Sequence, residues 1–288
     1  MQFYYLPSKA LLIFWAPKAA CSAIVDWINK SFSETKNCEG DTRVFLRSRG
    51  YNFSDFANIN PIIESGAIKN AIISYREPTS RILSSFINKF LIYGDKPIAS
   101  ESELESFAKL LARRLANWKS NEHSDAAIAP NFKNESELPL SLEDFITFIC
   151  SRSIRERNID QHFKPMIWEK KHLASLTCLP SKNLKIFPLR VDHFDNDLSQ
   201  INRKLLDGTY IPPKINASTL PSPDWSYSSD PQVVQLSRRD LLEKKTIPTK
   251  SALLDYFAQN PELSATFQDR FRFDYRLSSF LDDLANSD

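Results

Sequence analysis

The stretch LLIFWAPKAACSAI, residues 11–24, joins an apolar run to a turn that contains a lysine and a hydroxyl. The run over residues 10–16 is continuously apolar and is followed by Pro17, a pattern typical of a strand buried on both faces of a parallel sheet. Residues 22–32 then carry apolar side chains at helical spacing, with Ser22 as a candidate N-cap. The stretch therefore predicts a strand-turn-helix unit.

The turn of this unit reads Pro17-Lys18-Ala19-Ala20-Cys21-Ser22. A helix that begins directly after a strand leaves backbone N–H groups unpaired, and a neighbouring lysine makes them a site for an anion, most often a phosphate. The turn lacks the GxxxxGK[ST] pattern, so it is not the phosphate loop of ATPases and kinases. The alternative is an ordinary strand-to-helix turn with a solvated lysine.

A second strand-turn-helix unit follows in NAIISYREPTSRILSSFINKF. Residues 71–75 form its predicted strand, and Pro78 suits the first turn of its helix. Arg76 follows the carboxyl end of the strand, where ligands of open α/β sheets bind. Its guanidinium suits a phosphate, and Ser84, two helical turns later, is expected to contact the same anion. The alternative is a surface arginine and a serine without function.

The order of elements along the 288 residues predicts one α/β domain over residues 1–288. Residues 184–190 look like a third strand, and strands that alternate with helices favour a three-layer α/β/α, P-loop-like fold with a mostly parallel central sheet. Residues 207–231 are rich in Pro, Ser and Asp, and we expect a surface loop on the acceptor side there, with the character of a lid. A helical tail is predicted over residues 249–288.

Composition excludes several classes of protein. Lys and Arg number 37 against 35 Asp and Glu, a net charge of +2 without a basic block, so nucleic-acid binding is not expected. The four cysteines form no CxxC pair, which argues against a zinc site or a disulfide framework. The first apolar run is too short for a signal peptide, and none is long enough to span a bilayer. We expect a cytoplasmic protein without a bound metal.

A third motif, Asp160-Gln161-His162-Phe163-Lys164-Pro165-Met166, contains one of only four histidines. No cysteine or second histidine lies near it in sequence, so a metal site is the weaker interpretation. A histidine within reach of a hydroxyl can act as a general base near neutral pH. The alternative is a histidine whose hydrogen bonds are purely structural.

Taken in order, strand-PKxxC[ST], strand-REPxxRxxSxF and DxHxxP resemble the sulfotransferases that use 3′-phosphoadenosine 5′-phosphosulfate. The resemblance is to the carbohydrate branch, sulfotransferase family 2, which includes the HNK-1 and chondroitin enzymes. It covers three short motifs across about 150 residues. Residues 184–201 and the segment FQDRFRFDYRL near the end show a weaker similarity to later segments of the family. Phe163 and Met166 stand where that branch has Trp and Gln, a departure that affects the acceptor side.

The resemblance implies that Pro17, Lys18, Ala19, Ala20, Cys21 and Ser22 form the 5′-phosphosulfate loop. It implies that Arg76 and Ser84 hold the 3′-phosphate, and that His162 is the base that takes the proton of the attacking hydroxyl. Lys18 then stabilises charge on the departing phosphate, so His162 and Lys18 are the candidate catalytic residues. The single Cys178 after the third motif, where secreted members have paired cysteines, agrees with a bacterial-type cytoplasmic enzyme.

The predicted activity is transfer of a sulfuryl group to a hydroxyl of a carbohydrate, with adenosine 3′,5′-bisphosphate as the second product. Two other functions stay open at this point. One is a P-loop-like kinase that acts on a sugar or nucleotide, against which the five glycines of the chain argue. The other is a relative that binds a nucleotide without catalysis.

Overall fold

The structure is a computed structural model that describes residues 2–15, 21–32, 35, 41–93, 95–120, 140–151, 162–167, 169–206 and 220–287. The chain divides into two compact units. Unit 1 comprises Met1–Glu77, Pro165–Asn216 and Arg272–Asp288, and unit 2 comprises Pro78–Lys164 and Ala217–Phe271. That residues 1–288 form one domain stays a prediction.

Strands and helices are numbered in chain order through both units. The strands of unit 1 are β1 (Gln2–Leu6), β2 (Leu11–Trp15), β3 (Asn52–Phe53), β4 (Asn70–Tyr75) and β7 (Lys185–Arg190). Its helices are α1 (Cys21–Ser31), α2 (Thr42–Ser48), α3 (Phe56–Glu64), α7 (Lys170–Thr177), α8 (Phe194–Leu206) and α12 (Arg272–Ser287).

Unit 2 is mainly helical. Its helices are α4 (Pro78–Phe86), α5 (Ser106–Ser120), α6 (Leu142–Cys150), α9 (Arg238–Glu243), α10 (Lys250–Gln259) and α11 (Pro261–Arg270). Its short strands are β5 (Ile92–Tyr93), β6 (Lys96–Pro97), β8 (Ser226–Ser228) and β9 (Thr246–Pro248). One π-helical turn, Ile87–Leu91, continues α4.

The sheet of unit 1 has the strand order β3-β1-β2-β4-β7. Strands β2, β4 and β7 are parallel, whereas β1 pairs antiparallel with both β2 and β3. The α/β class is therefore confirmed, but the sheet is mixed rather than mostly parallel. The chain reverses between β1 and β2 through a tight turn that ends at Ala10 in the left-handed region (φ 47°), so the two strands form a hairpin.

Side chains of this sheet alternate between two buried clusters, as the two-residue period of a strand requires. In β2, Leu12 and Phe14 pack with residues of α3, α7 and α12. Leu11 and Ile13 pack with residues of α1, α2 and α8. All four side chains are at most 1% exposed, so β2 is buried on both faces, as its apolar run predicted.

Unit 2 is held together by hydrogen bonds as well as by apolar packing. Ser141 and Asp144 form a capping box that fixes the start of α6. Arg238 is 6% exposed, and its guanidinium donates to the carbonyl oxygens of Phe90 and Ile98. This buried arginine ties α9 to the π-helical turn and to the segment after β6.

Several sequence predictions differ from the structure in detail. Helix α1 begins at Cys21, so Ser22 lies in its first turn and is not the N-cap. Residues 207–219 of the predicted 207–231 loop lie outside the described residues, and the rest contains β8, which pairs with β9. Helices α10, α11 and α12 lie in the segment 249–288 for which a helical tail was predicted. In the described parts of the chain, no helix combines the length and apolarity that crossing a membrane needs.

Candidate anion site at the carboxyl edge of the sheet

The three parallel strands of unit 1 end at one edge of the sheet. Tyr75, the last residue of β4, is paired with Arg190, the last residue of β7. Chain segments that leave adjacent parallel strands at this edge form the usual ligand site of an open α/β sheet. Arg76 follows β4 directly, and the 3-10 turn Val191–His193 follows β7.

Arg76 lies where the sequence predicted an anion-binding arginine. Its side chain is only 22% exposed, and its Nε lies 3.4 Å from Oδ1 of Asp192. That distance makes an ion pair, but within the described structure the buried Nε has no hydrogen-bond partner. A buried guanidinium N–H without an acceptor is costly, and a phosphate oxygen would satisfy it.

The electrostatics of Arg76 combine two opposing effects. Burial lowers the pKa of Arg76, and the carboxylates of Asp192 and Glu77 partly offset that effect. An arginine keeps its positive charge at neutral pH in spite of such a shift. The site therefore holds a partly desolvated cation with a half-exposed carboxylate beside it.

Arg190, which is paired with Tyr75 across the sheet, makes a bidentate pair with Asp197 of α8. Its Nε and Nη2 donate to the two carboxylate oxygens at 2.9 and 2.7 Å, and its backbone N–H donates to Oδ2 at 2.9 Å. Hydrogen bonding to Asp197 raises the pKa of Arg190. Because Asp197 is 6% exposed, this bidentate pair fastens the start of α8 to the end of β7.

Tyr75 also has a fixed partner at this edge. Its hydroxyl donates a short hydrogen bond to Oδ1 of Asp282 in α12. Burial, followed by the bond to Asp282, raises the pKa of Tyr75 far above its usual value. Tyr75 and Arg190 are thus held by residues of their own unit, whereas the buried Nε of Arg76 has no hydrogen-bond partner in the part of the chain that the structure describes.

The other predicted donor-binding residues are only partly described. Pro17, Lys18, Ala19 and Ala20 lie outside the described residues, so the phosphosulfate loop stays a prediction. Cys21 is the first residue of α1, and the side chain of Ser22 is exposed. The parallel pairing of β2 with β4 does bring the end of β2 to the edge from which Arg76 emerges.

Ser84 and His162 belong to unit 2. Ser84 is half-buried in α4, and its predicted role beside Arg76 stays a prediction. The ring of His162 stacks on Phe107 of α5, with ring centroids 5.0 Å apart and an interplanar angle of 11°. The hydroxyl of Ser85 lies 3.1 Å from the backbone carbonyl oxygen of His162 and 2.9 Å from that of Arg81, so the two oxygens share its one proton. The orientation of the histidine ring therefore rests mainly on the stack with Phe107.

Phe107 is itself packed against a cation. The Nζ of Lys89 lies 5.1 Å from the centroid of the Phe107 ring and makes two 2.8 Å hydrogen bonds to the carboxylate of Glu105. Lys89 is 7% exposed, whereas the side chain of Glu105 is 38% exposed, so the lysine is the buried member of this ion pair. No spacing in the sequence relates residues 89, 105 and 107 to His162, and the sequence did not predict this support.

A second unpredicted residue, Asp274 of α12, holds the end of the third motif within unit 1. Its carboxylate accepts the backbone N–H groups of Met166 and Ile167, each at 2.8 Å, and it is 2% exposed. Asp274 lies in FQDRFRFDYRL, the terminal segment that only weakly echoes the sulfotransferases. Asp192 likewise lies in a segment that weakly resembles the sulfotransferases. The charged residues of these two segments were therefore the signal by which Asp192 and Asp274 could have been found.

Comparisons with known proteins add no further support for a family. No protein-family model matches the chain, and neither a curated protein nor a solved structure does.

Among the residues that the structure describes, no three His, Cys, Asp or Glu side chains are grouped so that they could hold a metal ion.

Proposed function

We propose that the chain is a sulfotransferase that moves a sulfuryl group from 3′-phosphoadenosine 5′-phosphosulfate to a hydroxyl of a carbohydrate. The observation that carries the proposal is Arg76, a mostly buried guanidinium at the carboxyl end of β4 whose Nε has no hydrogen-bond partner in the described structure. The order of the three sequence motifs supplies the choice of donor.

A three-layer, P-loop-like fold of unit 1 is part of the proposal. It is supported by the two core clusters, because each combines side chains of the sheet with those of a different set of helices. In such a fold the turn after β2 and the segment after β4 face one ligand. Lys18 and the backbone N–H groups from Ala19 to Ser22 would then receive the 5′-phosphosulfate, and Arg76 with Ser84 the 3′-phosphate.

In this reaction the residues would align the donor with the acceptor hydroxyl and stabilise the charge that develops on the departing phosphate. As the bond between sulfur and the bridging oxygen breaks, negative charge grows on the departing phosphate, where Lys18 and the start of α1 would stabilise it. The attacking hydroxyl loses its proton to His162, whose ring the stack on Phe107 holds in one orientation. The proton stays on the imidazole, and the sulfuryl group ends as a sulfate ester.

The experiment is an assay with 3′-phosphoadenosine 5′-phosphosulfate carrying a labelled sulfuryl group and a panel of neutral oligosaccharides. We expect label on an acceptor and release of adenosine 3′,5′-bisphosphate in equal amounts, and we expect H162A to lower turnover by about 100-fold or more. Labelled ATP with Mg²⁺ is the parallel arm. Transfer of phosphate from ATP, with none from the sulfuryl donor, would replace this proposal by a kinase.

Donor binding without transfer to any acceptor, and with H162A indistinguishable from the parent chain, would instead indicate a nucleotide-binding relative without catalysis. A loss of donor binding in H162A would assign His162 to the donor site rather than to proton transfer.

A further inference from the structure

Unit 2 contains an open groove of about 730 Å³ between α6 and the end of α10 with the start of α11. The side chains of Glu143, Thr147 and Cys150 line it from one face of α6, at spacings of four and three residues. None of its lining residues takes part in the proposed transfer reaction.

Three of the polar side chains that line the groove offer hydrogen-bond acceptors to a ligand. The hydroxyls of Thr147 and Thr266 each donate to the carbonyl oxygen four residues earlier in their own helix, at 2.9 and 2.8 Å. A hydroxyl has one proton, so toward the groove these oxygens can only accept. The side-chain amide of Asn260 donates to the backbone oxygen of Tyr256 at 2.9 Å, which leaves its carbonyl oxygen as an acceptor.

The charged side chains of the groove favour a cationic ligand. Its lining includes the carboxylates of Glu143 and Glu262, and none of its lining residues is a lysine, arginine or histidine. Nearby, Lys119 is paired with Asp144 at 2.8 Å. Burial raises the pKa of the Cys150 thiol, and the positive charge of Arg270 partly offsets that effect. An anion such as a nucleotide would meet two carboxylates without a lining cation, whereas a protonated amine would gain from both.

Apolar surface completes the groove. Trp118, Pro261 and Leu263 line it beside the polar side chains. A volume of this size suits a small organic ligand, and a mixture of apolar surface with hydrogen-bond acceptors suits a molecule with C–H faces and hydroxyl groups.

We propose that this groove binds an amino sugar, that is, a polyhydroxylated ring with a protonated amine. The amine would lie at Glu143 and Glu262, and ring hydroxyls would donate to Thr147, Asn260 and Thr266. The inference goes beyond the transfer reaction and uses no part of the Arg76 site, so either proposal can fail without the other.

The test is calorimetric titration of the full chain, without any donor, by the β-1,4-linked glucosamine disaccharide at pH 6, where its amines carry protons. Its N,N′-diacetyl form is the matched ligand, with the same rings and no charge. We expect the diamine to bind at least tenfold more tightly. Equal binding of the two sugars, or binding of neither, would overturn the inference.

Variants then locate the site. E143Q and E262Q keep the size of each side chain and one acceptor oxygen but remove the negative charge, and we expect each to weaken diamine binding at least fivefold. D255N removes an exposed carboxylate of α10 that does not line the groove, and should leave binding unchanged. Unchanged binding in both glutamine variants would overturn the inference, and so would spermidine binding as tightly as the disaccharide, since spermidine has no hydroxyls.

Discussion

Two arginines at the same edge of the unit 1 sheet differ in how their hydrogen bonds are used. Arg190, at the end of β7, makes a bidentate pair with the buried carboxylate of Asp197. Arg76, directly after β4, has one carboxylate at 3.4 Å and a buried Nε without a hydrogen-bond partner in the described structure. The first arginine is thus paired with a carboxylate of its own unit, whereas the Nε of the second has no hydrogen-bond acceptor among the described residues.

A structural arginine and a binding arginine differ in what shifts the pKa of the guanidinium. Hydrogen bonding dominates the raised pKa of Arg190, whereas burial dominates the lowered pKa of Arg76. A charge that is desolvated without full compensation costs stability, and such costs concentrate at functional sites. The comparison predicts that changes at Arg190 affect folding, and that changes at Arg76 affect binding.

The largest effect on stability is expected at Arg190. R190A leaves Asp197 as a nearly buried carboxylate without its cation, and we expect the free energy of unfolding to fall by about 3 kcal/mol. Urea denaturation followed by far-ultraviolet circular dichroism measures this change. The double variant R190A/D197N removes the unpaired charge and should recover part of the loss. A fall of less than about 0.5 kcal/mol, the scale of a surface substitution, would show that the pair does not hold α8.

A smaller effect is expected at Tyr75, which precedes Arg76 in the chain and is paired with Arg190 across the sheet. Its raised pKa means that the fold favours the neutral phenol, so this contribution to stability is present below pH 10 and is lost as the pH rises above that value. Y75F should cost about 1 kcal/mol at neutral pH because the bond to Asp282 is lost.

The pH dependence provides the sharper test of Tyr75. Between pH 9 and pH 11 the midpoint of thermal unfolding should fall more steeply for the parent chain than for Y75F. Parallel curves would indicate that Tyr75 does not titrate differently in the folded and unfolded states. Y227F, a change of an exposed tyrosine in β8, is the control.

Asp192 should modulate the anion site rather than build it. D192N removes a half-exposed carboxylate that competes with a bound anion for Arg76, so we expect about fivefold tighter binding of adenosine 3′,5′-bisphosphate, or about 1 kcal/mol. The gain should shrink as salt rises, because the groups are partly exposed. Weaker binding in D192N would mean that Asp192 orients Arg76 and that its carboxylate is part of the site.

The smallest effect on stability is expected at Arg76 itself. R76A removes a guanidinium that lacks a full set of bonds and leaves Asp192, which water can solvate, so the free energy of unfolding should change by less than about 1 kcal/mol. The same urea titration as for R190A measures it. A loss as large as that of R190A would erase the difference between the two arginines.

The apolar runs in the sequence predicted strands β2 and β4 of unit 1. They also predicted which residues follow each of these strands. Leu11–Trp15 and Asn70–Tyr75 are buried on both faces, so their apolar runs carry a strong signal. Strands β1 and β3 were missed, because β3 has two residues and β1 precedes a tight turn close to the start of the chain. The predicted mostly parallel sheet was wrong for that reason.

The partners at the candidate site could not be predicted from the sequence. Asp192 and Arg76 meet because β4 and β7 are adjacent, and Phe107 meets His162 because the start of α5 lies against that histidine within unit 2. Both contacts depend on tertiary structure between segments far apart in the chain, for which local periodicity has no signal. Residues such as Arg76 were predictable because their place follows from the end of one strand.

Calorimetric titration with adenosine 3′,5′-bisphosphate tests most directly whether Arg76 binds an anion, with 5′-AMP as the ligand that lacks the 3′-phosphate. We expect the parent chain and R203A, which removes an exposed arginine of α8, to bind the bisphosphate alike and to prefer it to 5′-AMP. R76A should lose about 100-fold in affinity for the bisphosphate, or about 2.7 kcal/mol, because charge-assisted bonds to phosphate are lost. Equal binding of the bisphosphate by R76A and R203A would contradict the central claim that Arg76 is an anion-binding residue.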